Sequence, residues 1–413
     1  MGIQQSLFSA VQDAFAENTR ISNQRLYHTV ASSLGIRESE ASRKENIGKK
    51  GEKCNVFTRK VRWQQQTLKQ LGLIERVASR KGVWQLTKEG KKKIQLHKTQ
   101  PGITVLGFST RLGLAIWGDC CDVFSKIDEP VHLMISSPPY LLRNKRAYGN
   151  PDETEYVDFI CKSIEPVVKH LVDGGSIALN ISNDIFLKKS PARSLYRERL
   201  VLALYDRFGL FKMDELIWQN KSKPPAPIQW ASINRYHLNV QWEPVYWFCN
   251  NPNKARSNNQ RVLREHTDQH KKLMKAGGYK YRKTCSDGAY SKREGSFGKE
   301  TKGKIQRNVL DIPHVCKSQQ DYKKAAKEIG LPAHGAPFPL NLARFLVEFM
   351  SEKDDLVIDP FSGSFTTGLA CEQLGRRWIG TDCMYEYIRG SAERFNGCDD
   401  YMLSKEMENV SWM

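Results

Sequence analysis

The chain has 413 residues, which is long enough for more than one domain, and its formal net charge is +19. Such an excess of basic residues favours a polyanionic partner, because phosphates that are neutralised by a protein release their counterions. No apolar run reaches the roughly 20 residues of a membrane-spanning helix, and the first residues lack the pattern of a secretion signal, so we expect a soluble intracellular protein.

Residues 1–98 have the pattern of a small helical domain that ends in a β-hairpin. Apolar residues recur at helical spacing in three segments, 6–15, 23–34 and 56–71. The third segment has a polar face that includes Arg59 and Lys69, and two short strands around a basic turn follow within residues 72–90. This order resembles a winged helix-turn-helix, specifically the N-terminal module of some restriction-associated proteins. We expect the domain to contact DNA; the alternative is a domain that only mediates dimerisation.

A linker predicted at residues 98–108 leads into a region where short apolar segments alternate with helical periodicity. Seven segments are typical of β-strands: 114–119, 131–137, 176–182, 214–220, 243–250, 356–361 and 377–382. Strands that alternate with helices predict an α/β domain with a largely parallel sheet, which binds ligands at the carboxyl ends of its strands. We place this domain at residues 103–413.

The first chemical motif, Ser-Ser-Pro-Pro-Tyr, comes at the end of the strand predicted at 131–137. Because two consecutive prolines cannot extend a sheet, the chain must turn there and expose backbone carbonyls. The motif presents a hydroxyl, a carbonyl and an aromatic face, from Ser137, Pro138, Pro139 and Tyr140. An exocyclic amine on a flipped base needs these groups, as acceptors for its hydrogens and as a ring to stack on. The alternative is a tight structural turn.

The second motif, Asp-Pro-Phe-Ser-Gly-Ser, lies between the apolar segment at 356–361 and a helix. Small residues in such a turn let a ligand approach the backbone. Asp382 ends the next strand about 20 residues later, a position from which a carboxylate can bind ribose hydroxyls. Because the turn has no Walker lysine, we expect an adenosine-containing cofactor rather than a nucleotide that transfers phosphate.

The segment at 254–307 carries basic clusters interleaved with aromatic residues and glycines. This pattern favours a loop-rich nucleic-acid surface, with disorder as the alternative. His266 and His270 have the i, i+4 spacing of two metal ligands, but no glutamate or cysteine lies in a matching position, so we predict no metal site. The ten cysteines include no Cys-x-x-Cys pair, which argues against a zinc ribbon and a disulfide framework.

The two motifs resemble the β-group of DNA amino-methyltransferases, in which the catalytic motif precedes the cofactor motif. The resemblance covers residues 112–398 and is strongest to cytosine-N4 enzymes of the PvuII modification methylase type. Further matching segments are 148–150, 155–158, 191–194, 221–230 and 333–339. Two positions depart from the pattern: Phe365, where many relatives have glycine, and Gly335, where proline is frequent. Both are expected near the methionine end of the cofactor.

The resemblance implies a seven-stranded Rossmann-like sheet with a circularly permuted motif order, and S-adenosyl-L-methionine as the cofactor. Ser137, Pro138, Pro139 and Tyr140 would hold the target amine. The cofactor site would be lined by Asp119, which either contacts the adenine or caps a helix, and by Phe338, Pro339, Asp359, Pro360, Phe361, Gly363, Ser364 and Asp382. The DNA-binding residues would be Lys221, Lys223 and Trp230 in a target-recognition region at 221–330, with Arg59 and Lys69 in the N-terminal domain.

These expectations predict a site-specific enzyme that methylates the N4 amine of a flipped cytosine in duplex DNA. Its setting would be restriction-modification in a prokaryotic cytoplasm, in association with the nucleoid. Adenine-N6 methylation is the nearest alternative, and serine rather than aspartate at position 137 favours cytosine. The absence of a Pro-Cys dipeptide disfavours carbon-5 methylation. More distant alternatives are methylation of RNA or of a protein glutamine, and a DNA-binding regulator with an inactive methyltransferase fold. The existence of a partner endonuclease and of a homodimer is left open.

Overall fold

The structure, a computed structural model, describes residues 7–47, 52–90, 102–141 and 155–408, apart from the single positions 19, 71, 79, 89, 286, 287 and 289. The elements described up to residue 90 are α1 (Leu7–Glu17), β1 (Arg20–Ser22), α2 (Asn23–Ser33), α3 (Glu38–Ala41), β2 (Lys44–Ile47), β3 (Glu52–Asn55), α4 (Val56–Gln70), β4 (Ile74–Arg76) and β5 (Val83–Leu86). The three predicted helices correspond to α1, α2 and α4, and the predicted strand pair corresponds to β4 and β5. The sequence pattern predicts neither α3 nor the β2–β3 hairpin, which lie in a polar, lysine-rich stretch.

A partly buried polar contact joins the helices of this first part to its strands. Asn23 Oδ1 accepts hydrogen bonds from Gln65 Nε2 of α4 (3.2 Å) and from Trp84 Nε1 of β5 (3.1 Å). Around this contact, apolar side chains of α1, α2 and α4 form a core with the three-stranded sheet β1-β5-β4. The opposite face of α4 is exposed and carries Arg59 and Lys69, as the sequence predicts.

The second part contains the remaining elements. They are β6 (Val105–Ser109), β7 (Gly113–Trp117), α5 (Cys120–Phe124), β8 (Val131–Ser136), α6 (Tyr156–Lys169), β9 (Leu171–Asn180), α7 (Tyr196–Phe208), β10 (Phe211–Gln219), a π-helix (Ile228–Ile233), β11 (Trp242–Cys249), two 3-10 turns (Pro252–Lys254 and Asn259–Val262), α8 (Asp268–Lys275), β12 (Lys283–Cys285), β13 (Tyr290–Lys292), β14 (Val309–Asp311), α9 (Lys317–Glu328), α10 (Leu340–Met350), β15 (Leu356–Asp359), α11 (Thr366–Leu374), β16 (Arg377–Asp382), α12 (Tyr385–Ala392), a 3-10 turn (Glu393–Phe395), β17 (Met402–Leu403) and α13 (Lys405–Glu408). Together they form an α/β fold around one large sheet.

Ten strands form this sheet, in the order β14-β10-β11-β9-β8-β15-β16-β7-β6-β17. All seven predicted strands belong to it, as β7, β8, β9, β10, β11, β15 and β16. The five central strands β9, β8, β15, β16 and β7 are mutually parallel, whereas β11 is antiparallel to both of its neighbours. At the far edge, β6 and β17 pair antiparallel. The sheet is therefore mixed, and its parallel centre brings the carboxyl ends of β8, β15, β16 and β7 to one edge.

Helices cover both faces of the sheet, because successive side chains of a buried strand point to opposite faces. Along β8, Leu133 and Ile135 contact the core that includes α10, α11 and α12. Met134, between them, belongs to the core that includes α5, α6 and α7. This double coverage explains why the central strands read as continuous apolar runs in the sequence.

Two predicted boundaries differ from the structure. The linker predicted at 98–108 overlaps most of β6. Phe108 of this strand is fully buried, because β6 pairs with β7 and covers its free edge. The predicted target-recognition region at 221–330 ends in β14 and α9, which belong to the sheet and its core: Leu310 and Tyr322 are fully buried. The segment 148–150 lies outside the described residues.

Phe365 occupies a backbone conformation that favours glycine. Its φ is +54°, directly before α11, and a non-glycine residue pays roughly 1–2 kcal/mol there. The ring is fully buried and packs against Phe108 (5.5 Å between centroids) and Trp378 (6.2 Å). The side chain therefore lies in the core, not at the cofactor surface expected from the sequence, and its burial compensates the strained backbone.

We expect Phe365→Gly to destabilise the protein less than Phe365→Ala, although glycine removes one more carbon. Loss of the buried ring should lower the free energy of unfolding of both variants by about 3–5 kcal/mol. Glycine alone removes the backbone strain, which should restore roughly 1 kcal/mol of that free energy. Urea unfolding of both variants measures the order. Phe395, which is buried with a negative φ, is the matched control, and there alanine should be the better replacement. If the glycine and alanine variants had the same order of stability at both positions, backbone strain at Phe365 would be contradicted.

Candidate active site

Four neighbouring strand ends carry most of the residues that the sequence singles out. β8 leads into the Ser-Pro-Pro-Tyr motif and β15 into the Asp-Pro-Phe turn, while β16 ends at Asp382 and β7 is followed by Asp119. Because β8, β15, β16 and β7 are parallel neighbours in this order, the two motifs lie side by side although they are far apart in sequence.

Asp359 joins the two motifs through a buried hydrogen-bond network. Its Oδ1 accepts from Ser136 Oγ (2.7 Å) and from the Phe361 N–H (3.1 Å), and its Oδ2 accepts from Thr367 Oγ1 (2.7 Å). Burial raises the pKa of Asp359 to about 6, and the three hydrogen bonds oppose this by favouring the ionised form. The carboxylate thus shapes the turn from inside the protein, and its contact with a cofactor stays a prediction.

Asp382 holds the same turn from the neighbouring strand. Its Oδ2 accepts a hydrogen bond from the Gly363 N–H (3.0 Å), and its Oδ1 accepts one from the Met384 N–H (2.8 Å). Gly363 has a φ of +51°, which glycine adopts without a steric penalty. Burial raises the pKa of Asp382 to about 7. The side chain is still partly exposed, so it retains lone pairs for a ligand hydroxyl.

The other predicted residues of the turn differ in their exposure. The Pro360 carbonyl accepts a hydrogen bond from Thr381 Oγ1 (2.9 Å), which fixes the backbone beside β16. The Phe361 ring is partly exposed and packs against Phe159 (5.7 Å). Ser364 is buried, and its Oγ lies 3.1 Å from Thr366 Oγ1, so this hydroxyl forms a hydrogen bond with the first residue of α11. Of these three residues, Phe361 is the one whose side chain is available to a ligand.

The segment 333–339 reaches the turn through a histidine that the sequence does not single out. A Cβ atom placed on Gly363 would lie 3.3 Å from His334 Nε2, so the imidazole ring lies against this glycine. The His334 N–H donates to Tyr322 OH (2.8 Å), which fixes the segment. Phe338 packs instead against Trp218 (6.3 Å), and Pro339 is buried before α10. Contact of the last two with a cofactor stays a prediction.

Asp119 is an exposed helix cap at the neighbouring strand end. Its Oδ1 accepts a hydrogen bond from the Cys121 N–H at 2.9 Å, at the start of α5. The adjacent Gly118 N–H donates to the Asp382 carbonyl at 3.0 Å, which places Asp119 beside the end of β16. The structure therefore has the capping role that the sequence allows, and a contact with adenine stays a prediction.

The Ser-Pro-Pro-Tyr motif ends in a hydrogen-bonded tyrosine. Ser137 Oγ donates to Tyr140 OH (3.2 Å), and this hydroxyl lies 2.8 Å from Asn180 Oδ1 and 2.9 Å from Glu243 Oε2. Burial, and next the charge of Glu243, raise the pKa of Tyr140 well above its usual value, so the hydroxyl stays protonated. Its proton is donated to one of the two acceptors.

Glu243 and Lys223 complete this group, which we call the Tyr140 cluster (Ser137, Tyr140, Asn180, Lys223 and Glu243). Lys223 Nζ lies 3.1 Å from Glu243 Oε1, and both side chains are about one-fifth exposed or less. Asn180 Nδ2 donates to the Pro244 carbonyl (3.1 Å), which joins β9 to β11. The sequence predicts neither Asn180 nor Glu243 as site residues. The available signal is that both are polar residues within apolar strands, at ends that antiparallel pairing brings together.

The predicted DNA-binding residues lie in different surroundings. Lys221 is exposed and forms an ion pair with Asp311. Lys223 points into the Tyr140 cluster rather than to solvent. Trp230 belongs to the π-helix and stacks on Tyr236 at 6.4 Å.

The charge of the strand ends indicates which ligands fit there. Asp119, Asp359 and Asp382 place three carboxyl groups at neighbouring ends, and their oxygens accept hydrogen bonds, whereas a polyphosphate would need donors. A ligand with hydroxyl donors and a positive centre suits this set of acceptors. The adjacent motif offers a serine hydroxyl and an aromatic ring, the groups that hold an amine on a planar base.

Comparison with known families agrees with this site. The family model described as DNA methylase matches residues 131–393, which include both motifs and more than half of the chain. The chain therefore belongs to this DNA methylase family and is an enzyme of the methyltransferase class. A second model, described as the Mrr N-terminal domain, matches residues 4–95.

Among known relatives, the type II methyltransferase M.PvuII of Proteus hauseri is 33% identical over 289 residues, 70% of this chain and 85% of the relative. The DNA adenine methyltransferase YhdJ of Escherichia coli (strain K12) is 32% identical over 98 residues, 24% of this chain and 30% of the relative. The solved structure of the PvuII DNA methyltransferase (cytosine-N4-specific) superposes with a TM-score of 0.55 at 28% identity, over 76% of this chain and 94% of the other. Within the described residues, none of the helices has the length and apolar character to span a bilayer.

Proposed function

We propose that this chain is a site-specific DNA methyltransferase that transfers a methyl group from S-adenosyl-L-methionine to the N4 amine of a flipped cytosine. The observation that carries the proposal is the hydrogen bond between Ser136 and Asp359, which sets an amine-holding motif beside a turn suited to a nucleoside. The choice of cytosine is supported by the 289-residue similarity to M.PvuII, against 98 residues for the adenine methyltransferase.

S-adenosyl-L-methionine fits the strand ends because it combines ribose hydroxyls with positively charged sulfonium and ammonium groups. Asp382 would accept hydrogen bonds from the hydroxyls, and the partly exposed ring of Phe361 would border the base. The turn at Phe361 and Gly363, which Asp359 and Asp382 hold through their carboxylates, would approach the cofactor through its backbone. When bound, the cofactor supplies an electrophilic methyl group.

The chain's own residues would prepare the amine. The lone pair of an aromatic amine is delocalised into the ring, so the nitrogen is a poor nucleophile. Hydrogen bonds from the amine to Ser137 Oγ and the Pro138 carbonyl would favour a tetrahedral nitrogen, while the Tyr140 ring stacks on the base. Glu243 and Asn180 would hold the Tyr140 hydroxyl, and with it the orientation of that ring. No covalent intermediate with the enzyme is required.

The N-terminal region, residues 1–98, would be a winged-helix DNA-binding domain joined to a methyltransferase domain at 103–413. This proposal is supported by the exposed basic face of α4, which carries Arg59 and Lys69, and by the match to the Mrr N-terminal domain. The enzyme would act on the nucleoid in a prokaryotic cytoplasm, as the modification component beside a separate endonuclease.

Expression of the chain in a methylation-deficient host should produce N4-methylcytosine at one short motif, and sequencing of the host genome for modified bases measures it. Ser137→Ala should lower the rate of modification at least about tenfold, because one acceptor for the amine is lost. Methyladenine at the motif would contradict the choice of base, and an unmodified genome would contradict the function.

Glu243→Gln should lower kcat about tenfold with little change in KM for DNA, because the carboxylate acts by positioning Tyr140. In a Tyr140→Phe background, where the hydroxyl is absent, Glu243→Gln should lower kcat by less than about twofold. Steady-state kinetics of the four proteins provide the test. Glu215→Gln is the matched control, since Glu215 pairs with Lys212 on β10, outside the cluster. An equal loss in both backgrounds would show that Glu243 acts independently of Tyr140.

Arg59→Ala combined with Lys69→Ala should weaken DNA binding and reduce the slope of log affinity against log salt by about 1–2, since up to two phosphate contacts are lost. Fluorescence anisotropy at several salt concentrations measures the slope. Arg111→Ala, which removes an exposed arginine outside the N-terminal region, should leave it unchanged. An unchanged slope in the double variant would contradict DNA contact through α4.

A further inference from the structure

The segment between β10 and β11, residues 220–241, forms a loop that is closed at its base. The Asn220 N–H donates to the Gln241 carbonyl (2.9 Å), and the Val240 N–H donates to the Ala226 carbonyl (2.8 Å). The buried Val240 anchors this base in the protein. We call the segment the 220–241 loop.

The outer part of the 220–241 loop is held in one conformation. The Tyr236 and His237 N–H groups both donate to the Trp230 carbonyl, at 2.8 and 3.1 Å. His237 Nε2 lies 2.7 Å from the Pro191 carbonyl, and its ring packs against Phe186 at 5.2 Å. These contacts tie the loop to the chain that follows β9, so the loop is preorganised.

The 220–241 loop nevertheless presents large apolar side chains to solvent. Leu238 is 89% exposed, although its neighbour His237 is fixed, and Tyr236 and Ile228 are 68% and 64% exposed. An exposed leucine contributes nothing to the core, and several large apolar side chains exposed on one loop are typical of an interaction surface. Arg235, beside them, is exposed as well and adds a positive charge.

The base of the 220–241 loop borders the Tyr140 cluster, because Lys223 lies within the loop and its Nζ is 3.1 Å from Oε1 of Glu243, two residues after the loop ends. Lys223 and Glu243 are members of the cluster, and His237 directly precedes Leu238. The leucine is thus carried on a rigid loop that starts and ends beside the residues that would receive a flipped base.

We propose that Leu238 inserts into the base stack and fills the space that the flipped target base leaves in duplex DNA. Extrusion of a base costs unpairing and unstacking, and proteins that deform DNA offset such costs with apolar wedges between base steps. Double-stranded DNA is the partner that fits, because the exposed apolar side chains lie beside basic residues in a chain of net charge +19. The inference rests on the proposed function.

Single-turnover methylation by the full chain on two duplexes tests the wedge. Both duplexes carry the motif found by genome sequencing; one is fully paired, and the other has an abasic position opposite the target base, which makes extrusion easier. Leu238→Ala should slow methylation about tenfold or more on the paired duplex and less than about twofold on the abasic one. Leu238→Phe, which keeps an apolar wedge, should retain the wild-type rate within about threefold on both.

A second readout does not depend on methyl transfer. With 2-aminopurine at the target position, the wild-type protein should raise the fluorescence of the paired duplex, and Leu238→Ala should raise it less. Leu202, which is 60% exposed on α7, provides the matched control: Leu202→Ala should behave as wild type in both assays. The thermal midpoint of Leu238→Ala should equal that of the wild type, because the side chain has almost no contacts to lose.

The outcomes separate the two proposals. An equal slowing of Leu238→Ala on both duplexes, or no slowing on either, would overturn the wedge and leave the methyltransferase function intact. A wild-type protein that methylates neither duplex would contradict the proposed function, and the wedge would be overturned with it. Slowing confined to the paired duplex, with reduced 2-aminopurine fluorescence, supports the inference.

Discussion

The buried carboxylate of Asp359 is the contact on which the arrangement of the site depends. It accepts hydrogen bonds from the end of β8, from the turn after β15 and from the first turn of α11. Each donor comes from a different element, so one side chain fixes the position of Ser-Pro-Pro-Tyr relative to the glycine-containing turn. Asp382 holds the other side of that turn, and the geometry of both motifs is therefore set by two carboxylates on adjacent strands.

Charge is distributed so that one protein can bind two chemically opposite ligands. The chain as a whole is strongly basic, which suits the phosphate backbone of DNA. The strand ends, by contrast, carry carboxyl groups, and Glu243 adds another beside Tyr140. This local acidity within a basic protein favours a cationic cofactor over a phosphate at these strand ends.

The sequence predicts the fold well where the pattern is local. Seven strands are recognisable because they are short, apolar and bounded by turn residues, and both motifs lie at strand ends because prolines and glycines end the strands. The sequence does not predict β6, because a register shift between Leu106 and Phe108 interrupts its alternation and the preceding Pro101 and Gly102 are typical of a linker. Asn180 and Glu243 were missed for another reason: their meeting at Tyr140 depends on the antiparallel pairing of β9 with β11, which no local pattern encodes. From the sequence, Lys223 is expected to bind a phosphate, whereas in the structure its ammonium group pairs with Glu243.

The closure of the 220–241 loop makes its backbone conformation independent of most of its side chains. Its two ends are joined by backbone hydrogen bonds at Asn220–Gln241 and Ala226–Val240, which do not depend on the identity of the side chains. The residues beyond this closure can therefore be exchanged or lengthened while β10, β11 and the Asp359 junction keep their positions. Substitutions on this loop, which we propose to meet DNA, therefore need not move the strands that carry the site.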